Sequence, residues 1–463
     1  MILLLCFLAY IPVFKNGYVT DDFTVHHESQ LKKPKNIWDR IWKGLKQTGY
    51  WGRCDKFAHA VNLAVHYAVC IAIYYAFGKN EVSYLAACLF AINPIGSEVS
   101  LWLSGRHYGY QALLAVLAWL NPFIMLWTVC ISFLLPRFTC ALTFFPLLYL
   151  TRSYPVSLLA TASLLFLWNM KYLFNPKEGK LKLTDGAVER LRVHPKKLII
   201  AIKFYGYNFI NGIFAFHTAS YIGYMRTFAE TKQGQKESYN LDRYFWIGCA
   251  LLYVLLVNLI WIGPSSLAVL GLLWYTITIA MWCNFVNIGN MQVAVRYNYL
   301  PNVGLMVFVA SILVYYPMLS GILLGWYFAK LLLTLRYYKN DYWHSLFQIV
   351  DEPDLYYSWL LHGNMMFSRR NFNAAIQDYV EGLSKNEGSF HLHYNMSSCY
   401  IALKDYSKAI VCLENARKCT LIDQEKSIAQ WVEERQKLIG NCIEATKRGY
   451  KIELTLDQIP IIV

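Results

Sequence analysis

An acidic pair is the first place where this apolar chain could do chemistry. Asp21 and Asp22 are adjacent in NGYVTDDFTVHHE, shortly after the apolar run MILLLCFLAYIPVF. Adjacent carboxylates repel and a low-dielectric edge disfavours ionising both, which prepares one of them to accept a proton. The pair is equally well explained as a helix N-cap, with Asp22 capping FTVHHESQLKK at a gain of about 1 kcal/mol. General-base chemistry and helix capping are both open.

Three polar residues recur at helical spacing in the segment FAHAVNLAVHY. His59, Asn62 and His66 are spaced i, i+3 and i+7, so a helix places all three on one face. Polar residues inside an apolar helix usually face the bundle interior, where they form a helix–helix hydrogen bond or part of a site. The two histidines are seven residues apart rather than the four that suit chelation from neighbouring turns. We therefore predict no metal site and keep chelation as a minor alternative.

Two further segments carry arginine with acidic or aromatic neighbours. Glu98 and Arg106, in NPIGSEVSLWLSGRHYGYQ, are expected in one loop, where they form an ion pair or where Arg106 faces a phosphate or diphosphate. VAVRYNYLPNVG places Arg296, Tyr297 and Tyr299 in a second loop on the same side. Aromatic residues also decorate membrane interfaces without taking part in chemistry. Structural and phosphate-binding roles are both open for these residues.

The composition is that of a multi-pass membrane protein with a soluble tail. Of the 463 residues, 56% are apolar and only 16% are charged, and the mean hydropathy is +0.30. Such a chain has too little polar surface to cover a water-soluble globule. Apolar segments end near Leu335. We therefore expect a membrane body at 1–340, a linker at 341–355, a helical tail at 356–448 and a last segment at 449–463.

Apolar length and punctuation by Pro, Gly or charge predict an all-α bundle of about eleven spans. The first apolar run is followed by no small-residue cleavage pattern, so we interpret it as a retained span. An odd number of spans leaves the chain ends on opposite faces, with the acidic pair, both arginine segments and the tail on one face. The predicted spans are 1–14, 57–78, 81–93, 106–120, 122–135, 138–151, 154–174, 243–262, 266–285, 303–317 and 320–337.

The long loop 175–242 carries a basic, aromatic stretch. Lys196, Lys197 and Lys203 accompany a moderately apolar sequence that we interpret as an amphipathic helix in the membrane interface. A net charge of +14 suits anionic headgroups or a lipid-linked phosphate. Nucleic acid is the poorer partner, because the charge is spread along the membrane-edge segments and no nucleic-acid-binding motif occurs.

The tail repeats with a period of 34 residues. Aligned at that period, Gly363 superposes on Ser397, Ala375 on Ala409, Tyr379 on Leu413 and Gly382 on Ala416. This spacing of small and large residues is typical of the paired helices of tetratricopeptide repeats. The segment 424–447 fits a charged capping helix. An arbitrary set of helical hairpins is the weaker alternative.

In this order, the motifs resemble the membrane O-mannosyltransferases with C-terminal tetratricopeptide repeats and their bacterial relatives, in the GT-C glycosyltransferase superfamily. The acidic pair, the H-x-x-N-x-x-x-H helix, NPIGSEVSLWLSGR and AVRYNYLPNVG each match a family motif. The sequence departs from the family at Asn93 and Gly96, where the family has histidines, and at Val295, where it has an acid. The resemblance covers nearly the whole chain.

The resemblance implies an inverting transferase that takes a sugar from a polyprenyl-phosphate donor. Asp21 or Asp22 would be the catalytic base, and Glu98 would position the acceptor or orient Arg106. The resemblance further implies donor-phosphate contacts from Arg106, Arg296, His59 and His66, and positioning roles for Asn62, Tyr297 and Tyr299. No cofactor is expected beyond the lipid-linked sugar, although a divalent metal stays open. The acceptor would be a protein or peptide held by the repeats.

The resemblance also places the acidic loop and the repeats on the luminal face of the endoplasmic reticulum or the periplasmic face of a bacterial inner membrane. Two alternatives remain. One is a transferase of the same superfamily that moves a whole lipid-linked glycan. The other is a catalytically silent membrane scaffold whose repeats recruit partners.

Overall fold

The computed structural model divides the chain into two compact units. One contains the described residues up to 218 and those from 242 to 340, and we call it the apolar body. The other contains the described residues from Asp341 onward, and we call it the repeat unit. The structure describes residues 8–16, 55–102, 105–121, 124, 174–175, 180–181, 195–216, 218, 242–261, 266–280, 282–283, 295–419, 425–448, 459 and 461.

The first four helices in the described part of the apolar body follow a 3₁₀ turn at Ile11–Lys15. Asn80 begins the second helix with a capping box, in which its side chain accepts from the Ser83 amide and the Ser83 hydroxyl accepts from the Asn80 amide. The helices are α1 (Asp55–Ala76), α2 (Glu81–Ile92), α3 (Pro94–Leu101) and α4 (Arg106–Leu120).

The predicted loop at 94–105 is wrong, because most of it is helix α3. Asn93 ends α2 and caps α3, with its side-chain oxygen accepting from the Ile95 amide at 2.8 Å. Pro94 follows in the first turn of α3, where its missing N–H costs no hydrogen bond. The two helices meet at 59°. The sequence reads as a loop because an Asn-Pro step breaks the apolar run, but here the step ends one helix and begins the next.

Five more helices complete the described part of the apolar body. The segment predicted as an interfacial helix is helical, as α5, and its residues Phe204, Asn208 and Asn211 are buried. Its position in the membrane interface stays a prediction. A two-residue antiparallel ladder joins Phe174–Asn175 to Lys180–Leu181. The helices are α5 (Pro195–Phe214), α6 (Asp242–Trp261), α7 (Leu267–Ala280), α8 (Tyr299–Leu313) and α9 (Pro317–Tyr337).

Among the described residues, three helical segments are long and apolar enough to cross a membrane. They are His59–Ala76, Tyr244–Trp261 and Pro317–Tyr337, and the bent pair of α2 and α3 would make a fourth. On α6, large side chains such as Trp246, Tyr253 and Ile260 are at least 70% exposed, as expected of a surface that faces lipid. The predicted spans at 122–135, 138–151 and 154–174 lie almost wholly outside the described residues. The total of eleven spans stays a prediction.

Glycine pairs let two helix pairs of the apolar body approach closely. A Cβ on Gly304 of α8 would lie 2.5 Å from the carbonyl oxygen of Gly271 on α7. Gly206 of α5 and Gly248 of α6 likewise contact the backbone of the opposite helix. Small residues at crossings are how helices associate where no water drives them together.

The helices of the repeat unit reproduce the 34-residue period. After α10 (Asp341–Asp351), which lies in the predicted linker, the helices are α11 (Tyr356–Ser368), α12 (Phe372–Lys385), α13 (Phe390–Ala402), α14 (Tyr406–Lys418) and α15 (Glu425–Lys447). Helix α13 begins and ends 34 residues after α11, and α14 begins 34 residues after α12.

The turns inside the two helix pairs are also the same. Arg370 and Lys404 both adopt positive φ, of 62° and 64°. The next residues, Asn371 and Asp405, both cap the following helix by accepting a backbone N–H three residues on. The periodicity read from the sequence is therefore a repeat of the backbone as well.

Small residues let the helices of the repeat unit pack closely at the positions that the alignment predicts. Gly363 lies against the ring of Tyr379, and a Cβ there would clash with the ring. A Cβ on Gly382 would lie 2.9 Å from Leu392. Ala409 and Ala416 occupy the matching positions of the second pair and are fully buried.

Candidate functional site

The three polar residues of α1 are all buried, as their spacing predicts. His59, Asn62 and His66 are each less than 5% exposed. Asn62 contacts α3 and the turn that follows it, whereas His66 contacts α2 and α8. They therefore belong to the interior of the apolar body.

Asn62 joins α1 to the turn between α3 and α4. Its amide nitrogen donates to the Trp102 carbonyl at 3.0 Å, and its side-chain oxygen accepts from Arg106 Nε at 2.5 Å. Arg106 is 2% exposed at the beginning of α4. Gly105 makes this turn possible, because a Cβ there would lie 3.1 Å from the Val99 backbone. Asn62 thus fixes the position of a buried guanidinium.

Glu98 and Arg296 form a buried ion pair between α3 and the 3₁₀ turn that precedes α8. Arg296 Nη1 lies 3.3 Å from Glu98 Oε1, and the two side chains are 9% and 2% exposed. The two residues are 198 positions apart in sequence. The sequence left an ion pair of Glu98 with Arg106 open, and the structure identifies Arg296 as an ionic partner of this carboxylate.

Aromatic rings surround the Arg296 guanidinium. It lies 5.1 Å from the centre of the Trp102 ring and 5.3 Å from that of Tyr297. Tyr297 in turn stacks on Trp282 with ring centres 4.1 Å apart. Cation–π contacts hold a guanidinium in a water-poor place while leaving its edge able to donate. Trp102 was missed by the sequence reasoning, although it lies between Glu98 and Arg106 in the same motif.

His66 and Tyr299 form a hydrogen bond with each other, separate from the ion pair of Glu98 and Arg296. His66 Nε2 lies 3.0 Å from the Ala91 carbonyl, so it carries the proton, and Nδ1 accepts from the Tyr299 hydroxyl at 2.7 Å. Both side chains are buried. The pair ties α1 to α2 and α8 across 233 residues of sequence.

The positions that depart from the family motifs lie close to this site. The Asn93 amide donates to the Gly212 carbonyl at 2.9 Å while its oxygen caps α3. Gly96 faces the Tyr299 ring, and a Cβ there would sit at 3.7 Å, an ordinary contact. Val295, next to Arg296, is fully buried.

The arrangement connects four of the predicted site residues. The Asn62–Arg106 hydrogen bond and the Glu98–Arg296 ion pair are linked through Trp102, whose carbonyl accepts from Asn62 and whose ring lies against the Arg296 guanidinium. Guanidinium groups held in this way suit an anion. We call Asn62, Glu98, Arg106 and Arg296 the buried charge cluster. Asp21 and Asp22 lie outside the described residues, and their assignment stays a prediction. In the part of the chain that the structure describes, no group of three His, Cys, Asp or Glu side chains could hold a metal ion.

Comparisons with known proteins concern a short segment only. No family model matches the chain, and no solved structure gives a significant match. A segment of 57 residues is 42% identical to human "Tetratricopeptide repeat protein 12" (Homo sapiens). The match covers 12% of this chain and 8% of that protein. It indicates similarity to a repeat protein over that segment alone.

Proposed function

We propose that the chain is a membrane glycosyltransferase that moves a sugar from a polyprenyl-phosphate donor to a hydroxyl of a protein acceptor, with inversion. The buried charge cluster is the observation that carries the proposal. It joins three sequence-distant segments, each of which matches a motif of the GT-C transferases. Ionisable groups inside an apolar helical body are costly, and they usually mark a substrate or ion site.

The proposed chemistry uses the acidic pair together with the groups of the cluster. Asp21 or Asp22 takes the proton of the acceptor hydroxyl as its oxygen attacks the anomeric carbon of the sugar. The bond from that carbon to the lipid phosphate breaks, and the phosphate leaves with the electron pair. Arg106 and Arg296 stabilise the charge that develops on the departing phosphate. Glu98 orients Arg296, a role that their ion pair supports.

The histidines of α1 have different parts in this proposal. His66 is already engaged with Tyr299 and Ala91, so it holds the helices that frame the site. His59 lies one turn before Asn62 and is the better candidate for a contact to the donor phosphate. Asn62 positions Arg106, and Tyr297 with Tyr299 position the segment that carries Arg296.

The setting is part of the same proposal. The apolar body has eleven spans, and the repeat unit is a pair of tetratricopeptide repeats with a capping helix. The repeats lie on the luminal or periplasmic face and hold the acceptor polypeptide, which raises its effective concentration at the site. The 34-residue period of helices, caps and turns supports the assignment of the repeats.

The test is sugar transfer by the full chain in nanodiscs. Polyprenyl-phosphate mannose is offered first and other polyprenyl-phosphate sugars next, with membrane protein as the acceptor. Transfer is expected in the wild type and should fall by about 100-fold or more in Asp21→Asn/Asp22→Asn and in Glu98→Gln. The matched control is Glu81→Gln, an exposed carboxylate in the same body, which should transfer at the wild-type rate.

Two results would overturn the proposal. One is the absence of transfer from every donor by a protein with a wild-type unfolding midpoint. The other is full transfer by the double aspartate variant. Donor size separates the proposal from the transferase of whole glycans, because that enzyme would accept a lipid-linked oligosaccharide and reject the monosaccharide donor.

A silent scaffold is the second candidate, and specific contacts favour it. Asn93, which stands where the family has a histidine, uses its amide to cap α3 and to bond Gly212. His66 and Tyr299 are likewise bonded within the fold. A scaffold would show no transfer from any donor in the wild type or in the three variants, while loss of the repeats would abolish partner binding.

A further inference from the structure

One flank of the repeat unit is buried where a stack of this kind usually offers a binding surface. The first helices of stacked pairs share a concave face that the second helices leave uncovered. In α11 that face contains Leu360 and Phe367, and 34 residues later α13 presents Tyr394 and Ile401 at the same positions. All four side chains are 5% exposed or less. Other parts of the chain must therefore cover them.

Helix α15 covers part of this flank. Arg435 donates to the Ser398 hydroxyl at 2.7 Å and to the Tyr394 hydroxyl at 2.9 Å. Its guanidinium lies 4.6 Å from the centre of the Tyr394 ring. These contacts contribute to the burial of Tyr394, and Val432 and Ile439 of α15 belong to the apolar cluster that contains Leu360, Phe367 and Ile401.

A short segment far along the chain packs into the same apolar cluster. Ile459 is 1% exposed and belongs to the cluster that contains Leu360, Phe367 and Ile401, and Ile461 packs against that cluster. Pro460 separates the two, and a residue before proline favours extended backbone. In an extended chain, side chains two residues apart point to the same face. Both isoleucines can therefore anchor on one surface, as they would in a bound peptide.

We propose that residues 459–461 are a built-in occupant of a peptide-docking surface on the repeat unit. The ligand of that surface is an extended protein segment with two aliphatic side chains two residues apart, which displaces residues 459–461. Recognition of extended peptides through alternate side chains is a common mode of protein recognition. The inference rests on the repeat unit alone and does not depend on the proposed transferase activity.

The experiment measures binding of a labelled peptide to the full chain in detergent by fluorescence anisotropy. The probe is TLDQIPIIV, residues 455–463 of this chain. The test variant is Ile459→Asp/Ile461→Asp, which should release the surface. The matched control is Val380→Asp/Val411→Asp, since these valines are 52% and 55% exposed on α12 and α14.

The variant should bind the probe about tenfold or more tightly than the wild type, because a tethered segment competes at high effective concentration. The control should bind the probe as the wild type does. A probe with aspartate in place of Ile459 and Ile461 should bind none of the three proteins. The probe should also raise the thermal unfolding midpoint of the test variant. Equal binding by wild type and variant would overturn the inference. So would a variant whose repeats stay unfolded with the probe present, because the segment would then be a fixed part of the core.

Discussion

The two units bury polar groups in different ways. In the apolar body the partners are far apart in sequence, by 198 residues for Glu98 with Arg296 and by 44 for Arg106 with Asn62. In the repeat unit they are close, by 15 residues for Tyr379 with Asn364 and by 31 for Asn395 with Asn364. Bonds of the second kind join helices that are neighbours in the stack, as do those from Arg435 to Ser398 and Tyr394, 37 and 41 residues away. Long-range bonds between charged groups do not follow from stacking, which is why the apolar body is the better place to look for a site.

Both units use glycine where helices or side chains approach closely. Glycine replaces a larger residue where backbones cross in the apolar body, and where a tyrosine ring must enter in the repeat unit. The difference between the units therefore lies in their polar groups rather than in how tightly they pack. The following changes separate these two contributions.

Gly304→Ala should have the largest effect on stability. The added methyl would meet the Gly271 carbonyl oxygen at 2.5 Å and the Trp274 Cβ at 2.6 Å, and neither helix can move without losing its crossing. We expect a loss of about 3 kcal/mol in the free energy of unfolding of the apolar body. Thermal unfolding in detergent measures it. Gly321→Ala is the control, because nothing lies within 4 Å of a Cβ there. Equal losses in both variants would contradict the close crossing.

Breaking the ion pair of Glu98 and Arg296 should have an effect of similar size. Removing either partner leaves a buried charge, so Glu98→Gln and Arg296→Met should each cost about 3 kcal/mol. The double variant should cost clearly less than the two together, which a double-mutant cycle measures as coupling.

The repeat unit supplies the comparison for this cycle. Asp405 and Lys408 form a pair at the surface at 2.8 Å. Asp405→Asn keeps the helix cap and should leave the unfolding midpoint unchanged, because water screens such pairs. If the cycle shows no coupling between Glu98 and Arg296, the buried pair contributes no more to stability than the surface pair of Asp405 and Lys408.

Two tyrosines test the neutral hydrogen bonds. Tyr379→Phe should cost about 1 kcal/mol, because Asn364 keeps the bond from Asn395. Tyr299→Phe should cost about 2 kcal/mol, because it removes the donor to His66 Nδ1 inside the apolar body. Chemical or thermal unfolding of each variant measures the difference. A larger loss in Tyr379→Phe than in Tyr299→Phe would contradict the hydrogen bond from the Tyr299 hydroxyl to His66 Nδ1.

Local patterns were readable from the sequence, and long-range pairings were not. The shared face of His59, Asn62 and His66 and the 34-residue period both follow from helix geometry, and both are confirmed as helices with buried residues. Helix α3 was missed because an Asn-Pro sequence occurs both in loops and at the beginning of helices. The partner of Glu98 was missed because a residue 198 positions away is brought in only by packing, which no local spacing encodes.

The smallest expected effect is a pH dependence in the repeat unit. Burial lowers the pKa of His393, although its Nε2 bond to the Glu387 carbonyl at 3.1 Å opposes the shift. The unfolded chain, with a histidine pKa of about 6.5, then binds a proton more readily than the folded repeat. The stability that His393 contributes is complete above about pH 6.5 and is lost as the pH falls through the lower folded value.

Comparing unfolding midpoints at about pH 7.5 and 5.5 isolates this contribution. The wild type should lose more on acidification than His393→Gln, which has no titrating group at that position. His391→Gln, on the same helix two residues earlier, keeps His393 and serves as the comparison for the position of the change. If His393→Gln and the wild type respond equally, burial of this ring does not favour its neutral form. The pH response of the repeat unit would then come from other groups.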